Sequence, residues 1–302
     1  MTMTLEAKGR HSMSAELNSH KGFTLIELMI SLAAASIVTA GIYGFYHVQQ
    51  KSHAAQQLVV EMQQNIRATM SLMKREIRMV GYDPAAADGI DNDGINGIDD
   101  PAESSGSGIV TADRDMIQFD WDMNGDGAID NTGTGEGIIY SFQAADDTDF
   151  DGIADSGSAP LGRDPGDAAF NLVTMADDIH AVGFAYAFDD DGDGLLDRSV
   201  NNNAIWAFDA DADGTLDTIL DTNDDGLIDS ADAPGGSALA PTVSINSIRA
   251  VRIWLLGRTR SPVRGHQETR SYVVGDRRVN PSGDSFQRRL LVETIHCRNM
   301  GL

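Results

Sequence analysis

The first strong pattern along the chain is a run almost without polarity. From Phe23 to Tyr46 it reads FTLIELMISLAAASIVTAGIYGFY, 24 residues with a single charge, Glu27. As a helix this segment rises about 36 Å, enough to cross a hydrocarbon core. It is too long and starts too late for a secretory signal, and no A-x-A site follows it. Beyond Tyr46 the pattern becomes periodic. Leu58, Met62, Ile66, Met70, Met73, Ile77 and Val80 are spaced by three or four residues, one stripe of an amphipathic helix. No proline interrupts Phe23 to Tyr82, and Gly81 with Pro84 supply a stop. The pattern predicts one helix of roughly 60 residues, apolar over 23–46 and amphipathic over 47–82, with Gly41 and Gly44 as softer points. The Met-rich stripe reads as the face that meets a core. Further on, Met116–Trp121 and Val182–Phe188 alternate as strands do, with Gly137–Phe142 and Ala204–Phe208 as shorter candidates. The expected fold class is α+β, a long amino-terminal helix on an antiparallel sheet.

Charge divides the chain in a way that hydropathy does not. The 46 acidic and 22 basic residues give a net charge of −24. Residues 83–242 hold 37 of the acids and only three bases (Arg114, Arg163, Arg198), a net of −34, while the rest of the chain is net +10. Like charges at that density repel in a compact state, so the segment is either expanded or neutralised by bound cations. A nucleic-acid-facing middle is excluded. Cys297 is the single cysteine, so no intramolecular disulfide and no cysteine-based zinc framework can form. It reads as a buried strand residue, with an intersubunit disulfide as the other possibility.

The polar residues 1–22 carry Lys8, Arg10 and Lys21 and end in Lys21-Gly22-Phe23-Thr24-Leu25-Ile26-Glu27. This resembles the signal of type IV pilins and type II secretion pseudopilins. The resemblance implies cleavage by a prepilin peptidase between Gly22 and Phe23 and methylation of the new amino terminus. Residues 1–22 would then be a leader, with Met13 as an alternative start. It also implies that Glu27 meets the terminal ammonium of a neighbouring subunit during assembly. A carboxylate inside lipid is costly unless paired, which agrees with a functional role. Positive-inside logic puts the Lys21 flank in the cytoplasm and the remainder outside, in a single-pass inner-membrane protein. The segment Glu76-Ile77-Arg78-Met79-Val80-Gly81-Tyr82 resembles the close of the amino-terminal helix in PilW-type minor pilins, related to the J-type pseudopilins. Met175–Phe188, Ser247–Arg260 and Arg288–Asn299 resemble that family's strands, and much of the acidic middle looks like an insertion.

Five segments of the acidic middle follow one formula, D-x-[DN]-x-D-G-x-x-D. They are Asp122-Asn124-Asp126-Gly127-Asp130, Asp147-Asp149-Asp151-Gly152-Asp155, Asp189-Asp191-Asp193-Gly194-Asp197, Asp209-Asp211-Asp213-Gly214-Asp217 and Asp221-Asn223-Asp225-Gly226-Asp229. Residues 88–100 form a degenerate sixth. The formula resembles the first nine positions of an EF-hand or dockerin-type calcium loop. Calcium takes six to eight hard oxygens; positions 1, 3 and 5 place three side-chain oxygens around one point, and glycine at position 6 permits the turn that aims the next carbonyl inward. At position 12, where such loops carry a bidentate acid, only the last has one, Asp232; the others have Gly133, Ser158, Val200 and Leu220. The expectation is several calcium ions with Asp221–Asp232 the strongest site. Five ions would offset ten of the 34 excess charges. Magnesium, smaller and strictly octahedral, suits the pattern less.

From Val243 on, 11 arginines face four acids. They alternate with apolar residues in strand fashion, so they read as outward sheet positions that pair with the acidic loops or a neighbouring subunit; nucleic acid is the less favoured partner. No G-x-S-x-G, H-E-x-x-H or P-loop is present, and the histidines lack ligand spacing, so no enzyme is expected. The resemblance implies a minor type IV pilin that joins other pilins through its apolar helix on an inner-membrane assembly platform, in an initiating or tip complex. A type II secretion minor pseudopilin and a calcium-dependent tip adhesin remain the alternatives. The organisation read is 1–22 leader, 23–46 membrane helix, 47–82 amphipathic helix, 83–242 acidic loop-rich part and 243–302 basic strands.

Overall fold

A computed structural model of the chain describes residues 22–84, 106–130, 135–166, 172–281 and 283–301. The leader 1–21 and the degenerate loop at 88–100 lie outside the described residues. The chain divides into two units, residues 1–53 and 54–302.

The amino-terminal unit holds the first half of α1 (Leu25–Ile77), 53 residues that stay helical through both Gly41 and Gly44. It is long and apolar enough to cross a membrane, with a mean hydropathy of 2.0 over its best 18-residue window. Its side chains are exposed throughout.

In the second unit α1 turns its predicted stripe inward. Met62, Ile66, Met70, Met73 and Ile77 are buried, and Val80 just past the helix joins them. Each fully buried side chain of this kind contributes about 1.5–3 kcal/mol. The helix ends at Ile77 rather than at Tyr82. Its last turn tightens, with the Met79 N–H bonding the Glu76 carbonyl and the Val80 N–H that of Ile77. Gly81 then adopts φ +72°, and its N–H leaves for the Asp120 carbonyl.

Ten strands form one sheet. Eight follow one another along it: β1 (Ile109–Ala112), β2 (Ile117–Asp120), β3 (Gly137–Phe142), β4 (Ala159–Asp164), β5 (Val173–Phe188), β6 (Ala207–Phe208), β7 (Thr215–Ile219) and β8 (Ser237–Ser244). β9 (Ile248–Arg258) pairs with β5, and β12 (Arg288–His296) pairs with β9. All these pairings are antiparallel, and β10 (Tyr272–Val274) with β11 (Arg277–Val279) makes a separate hairpin. The acidic middle therefore supplies most of the sheet instead of interrupting it, because β5 carries partners on both edges. Its start pairs with β4, and Ile179–Phe188 pair with β9. β6 is shorter than expected: only Ala207 and Phe208 pair, while Ala204 bridges Arg198.

Among the contacts that seat α1 on this sheet are a close approach at a glycine and a buried ion pair. Gly257 of β9 lies so close beneath the helix that a Cβ there would sit 2.5 Å from the Ile66 Cγ2. Buried Glu76 pairs with Arg163 of β4 at 3.0 Å and accepts a hydrogen bond from Tyr140 of β3. Cys297 is buried just beyond β12, its N–H on the Arg249 carbonyl. The close approach at Gly257 predicts that Gly257→Val destabilises the head by about 1–3 kcal/mol in urea denaturation, whereas Val200→Ala, at a fully exposed position, leaves the midpoint unchanged.

Candidate metal centres

Each of the five loops begins within five residues of the end of a strand: after β2, β3, β5, β6 and β7 in turn. The strand end delivers the first aspartate into a partly enclosed position; Asp122, Asp147, Asp189 and Asp209 are buried and Asp221 half-buried. From there all five adopt one backbone frame. The N–H of the position 6 glycine (127, 152, 194, 214, 226) donates to the position 1 carboxylate at 2.7–3.0 Å. The N–H at position 7 donates to the position 5 carboxylate at 2.7–3.1 Å. Position 6 has φ between 70° and 86°. Position 4 is left-handed as well, including the non-glycine residues Phe150, Ala212 and Asp224 at φ 53–60°. That second left-handed residue was invisible to a motif that leaves position 4 open.

The frame gathers the acids. Carboxylate oxygens of Asp147, Asp149 and Asp151 lie within 4.8 Å of one another, as do those of Asp189, Asp191 and Asp193 and of Asp209, Asp211 and Asp217. Each group could hold a metal ion. Only oxygen donors line them, which suits a hard cation and not zinc or copper. Asp213 sits outside its group because Oδ1 accepts from both the N–H and the hydroxyl of Thr215. The first and fifth loops carry Asn124 and Asn223 at position 3; each donates to the following aspartate, Asp126 or Asp225, at 3.1 and 3.2 Å.

The loops close in two ways. In the second, third and fourth, the position 9 aspartate itself turns back, and Asp155, Asp197 and Asp217 accept the N–H of position 2 at 2.9–3.2 Å. In the fifth, Asp232 does this from position 12. It accepts from Thr222 and Asn223 through Oδ1 and from Asp229 through Oδ2. In the first loop the same three bonds go to a residue that the motif did not contain. Buried Glu136 accepts from Met123 and Asn124 through Oε1, both at 3.2 Å, and from Asp130 through Oε2 at 2.7 Å. The β2–β3 register, Asp120 opposite Gly137, brings Glu136 next to Asp122. The available signal was that pairing, since both strands were legible and their hairpin puts Glu136 at the loop's far end. Asp221–Asp232 is accordingly matched by the first loop, and every loop carries four carboxylates.

The arginines meet the loops differently from expectation. Arg278 donates to the carbonyls of Ser230 and Asp232, both at 2.8 Å, and buried Arg277 donates to those of Arg114 and Val182 beside Gly152. Arg278 braces the fifth loop's backbone and Arg277 that of β5 and the β1–β2 connection, and among the described residues neither forms an ion pair with a loop carboxylate. At the amino terminus Gly22 and Phe23 precede α1, and Thr24 caps it: the Glu27 carboxylate accepts the Thr24 N–H and hydroxyl, each at 2.9 Å. This is a capping box.

With the geometry in view, comparison with known proteins becomes specific. Residues 17–43 match the prokaryotic N-terminal methylation motif, and residues 164–299 match the family of type IV pilus-assembly protein W. The chain is thus similar to that family over this carboxyl-terminal stretch and carries a prepilin-type amino terminus. That family is structural, not enzymatic, and an apolar α1 behind a prepilin motif fits a single-pass inner-membrane pilin. Among solved structures, the chain is similar to a type IV-like pilin of Thermus thermophilus at 14% identity, covering 79% of this chain and 98% of that one with a TM-score of 0.37. No curated protein matches the chain.

Between β1 and β2 lie two further carboxyls. Burial pushes Asp115 up to about 7 against the pull of Arg277, and burial with the nearby Asp209 carboxylate pushes Asp113 up to about 6. A carboxyl whose folded pKa exceeds its unfolded value of about 4 holds its proton better when folded. Ion-free protein therefore loses stability from these groups as pH rises from about 4 through about 7. His180, lowered to about 4 by burial and by Arg288, works oppositely and loses stability as pH falls below about 6.5. Asp115→Asn isolates the first effect. In EDTA, its melting temperature should drop less than that of the parent between about pH 5.5 and 7.5; an equal drop would show that Asp115 titrates normally.

Proposed function

We propose that this chain is a minor pilin that joins the initiating or tip complex of a type IV pilus, and that calcium holds its extracytoplasmic head in shape. The observation that carries the calcium reading is the repeated frame: five loops of one backbone conformation, three of which bring three carboxylates within 4.8 Å of one another. Donors that are all oxygens, in loops with the D-x-[DN]-x-D-G spacing, favour a large hard cation over the stricter octahedron of magnesium. Glu136 would complete the first site as Asp232 completes the fifth, and in the other three the position 9 aspartate would close a tighter loop. Extracellular modules of this kind work at micromolar to millimolar calcium.

The assembly reading rests on the amino terminus. Prepilin peptidase would release Phe23 as the first residue of the mature chain, and Glu27 would exchange its capping bonds to Thr24 for the ammonium of a neighbouring pilin. The apolar half of α1 would be the element shared with major and minor pilins. A head of this size, bearing five protruding loops, fits the end of a filament better than its repeating wall.

Three measurements test this. Millimolar calcium should raise the melting temperature of the chain from about Lys51 onward, with heat on titration; no shift and no heat would sink the calcium reading. Glu136→Gln should lower the number of calcium ions bound by one, or weaken one site about tenfold or more, while Gln118→Glu does neither. Glu27→Ala should leave cleavage intact and block incorporation into filaments; normal incorporation would refute the assembly role. Gene deletion separates the neighbouring possibilities. Lost piliation supports the pilus reading, lost protein export with normal pili would point to a secretion pseudopilin, and normal pili with lost attachment to an adhesin.

A further inference from the structure

The end of α1 opens onto a surface unlike the rest of this acidic protein. A groove of about 540 Å³ runs between the last turn of α1 and the carboxyl terminus, and Lys74, Arg75, Arg78 and Arg298 line it with no acidic residue among its walls. Lys74 is held by Glu293 at 2.8 Å. Among the described residues, Arg75, Arg78 and Arg298 have no ion-pair partner, although the chain has more than twice as many acids as bases. The groove is not merely cationic. Met79 and Tyr82, both over a third exposed, belong to it and to an adjoining cleft of about 590 Å³ where exposed Met123 and largely buried Trp121 add apolar surface beside Glu76 and Arg163. A ligand for this surface carries negative charge next to an apolar side chain.

The chain itself displays that chemistry at its third loop. Residues 190–195 are all exposed, Gly192 and Gly194 face open space, and Leu195 stands out among Asp190, Asp191 and Asp193 with 66% of its surface accessible. Val200, 99% accessible, follows shortly after. Among the described residues no contact inside the head uses either side chain to fill the core. One bound divalent cation would leave this loop, with Asp189, Asp190, Asp191, Asp193 and Asp197, still net negative.

We propose that the groove at the end of α1 receives the third loop of a second copy of this chain. Arg75, Arg78 and Arg298 would meet its outward acids, and Leu195 with Val200 would cover Met79 and Tyr82. Groove and loop are different patches, so the contact is heterologous and seats the loop of one copy in the groove of another. Short-range pairing survives physiological salt, where the Debye length of about 8 Å screens the overall repulsion between two acidic heads. A long polyanion fits less well, because the first acidic loop borders the cleft at Met123. The proposal stands on surface chemistry alone and does not require calcium.

The test uses full-length chain in detergent micelles, with the buried Cys297 left in place. One preparation carries Val200→Cys, another Met79→Cys, and a control carries Val173→Cys, exposed elsewhere on the head. Mixing the first two under mild oxidation should form the disulfide-linked dimer at least about tenfold faster than mixing Val200→Cys with the control. Adding Arg78→Glu and Arg298→Glu to the Met79→Cys partner should abolish that advantage, and Asp190→Lys in the Val200→Cys partner should restore part of it. Equal rates for both mixtures, or an advantage indifferent to the charge reversals, overturns the proposal. So does retention of a duplex DNA probe that depends on Arg78 and Arg298 without any preferential cross-link, which would assign the groove to nucleic acid.

Discussion

Mutual repulsion among carboxylates is the constraint on which this head depends. Two unit charges about 5 Å apart cost roughly 3 kcal/mol at an effective dielectric near 20, and three of the loops bring three carboxylates within 4.8 Å of one another. The chain meets this locally before any ion is considered. Backbone N–H groups at positions 5, 6 and 7 point at the acids of positions 1 and 5, and two left-handed residues per loop make that convergence possible. Where an asparagine replaces the position 3 aspartate, its amide separates two acids, and a more distant carboxylate closes the loop. The residual repulsion is what a cation would relieve, so acidity and loop geometry describe one device.

Such loops need rigid supports, and the sheet provides them. Each loop hangs from a strand end, and β5, paired along both edges, joins the loop-bearing strands to β9 and β12. The amphipathic part of α1 closes this sheet at the glycine of β9 and through Glu76, whose partners Arg163 and Tyr140 keep a buried carboxylate from standing alone. The same short stretch that ends the helix therefore serves two surfaces. Ile77 and Val80 enter the core, while Arg78, Met79 and Tyr82 remain outside as the floor and wall of a basic groove.

Local features were the legible ones. Strands β2 and β5 and the loops were readable because alternation and the D-x-D-x-D-G spacing lie within a few residues of one another. What was missed had long-range causes. β4, with Pro160 and Gly162 in its sequence, shows no alternation and exists because β3 and β5 flank it. β7 and β8 are held by pairing between residues on either side of the fifth loop. The end of α1 was misjudged by five residues because Gly81 is drawn away by a carbonyl of β2, not by its own propensity.

By itself, the sequence determined the membrane-length run, the capping pair Thr24 and Glu27, the inward stripe of α1, and the spacing that makes each acidic segment a loop. These depend on periodicity, on turn chemistry and on charge density, all of which act between near neighbours. Only the tertiary structure decided that the acidic middle belongs to the same sheet as the basic end, that Glu136 closes the first loop, and that Arg75, Arg78 and Arg298 converge with no ion pair among the described residues. The reason is the same in each case. Strand register and helix docking bring together residues separated by many positions, and no local pattern encodes which of them will meet.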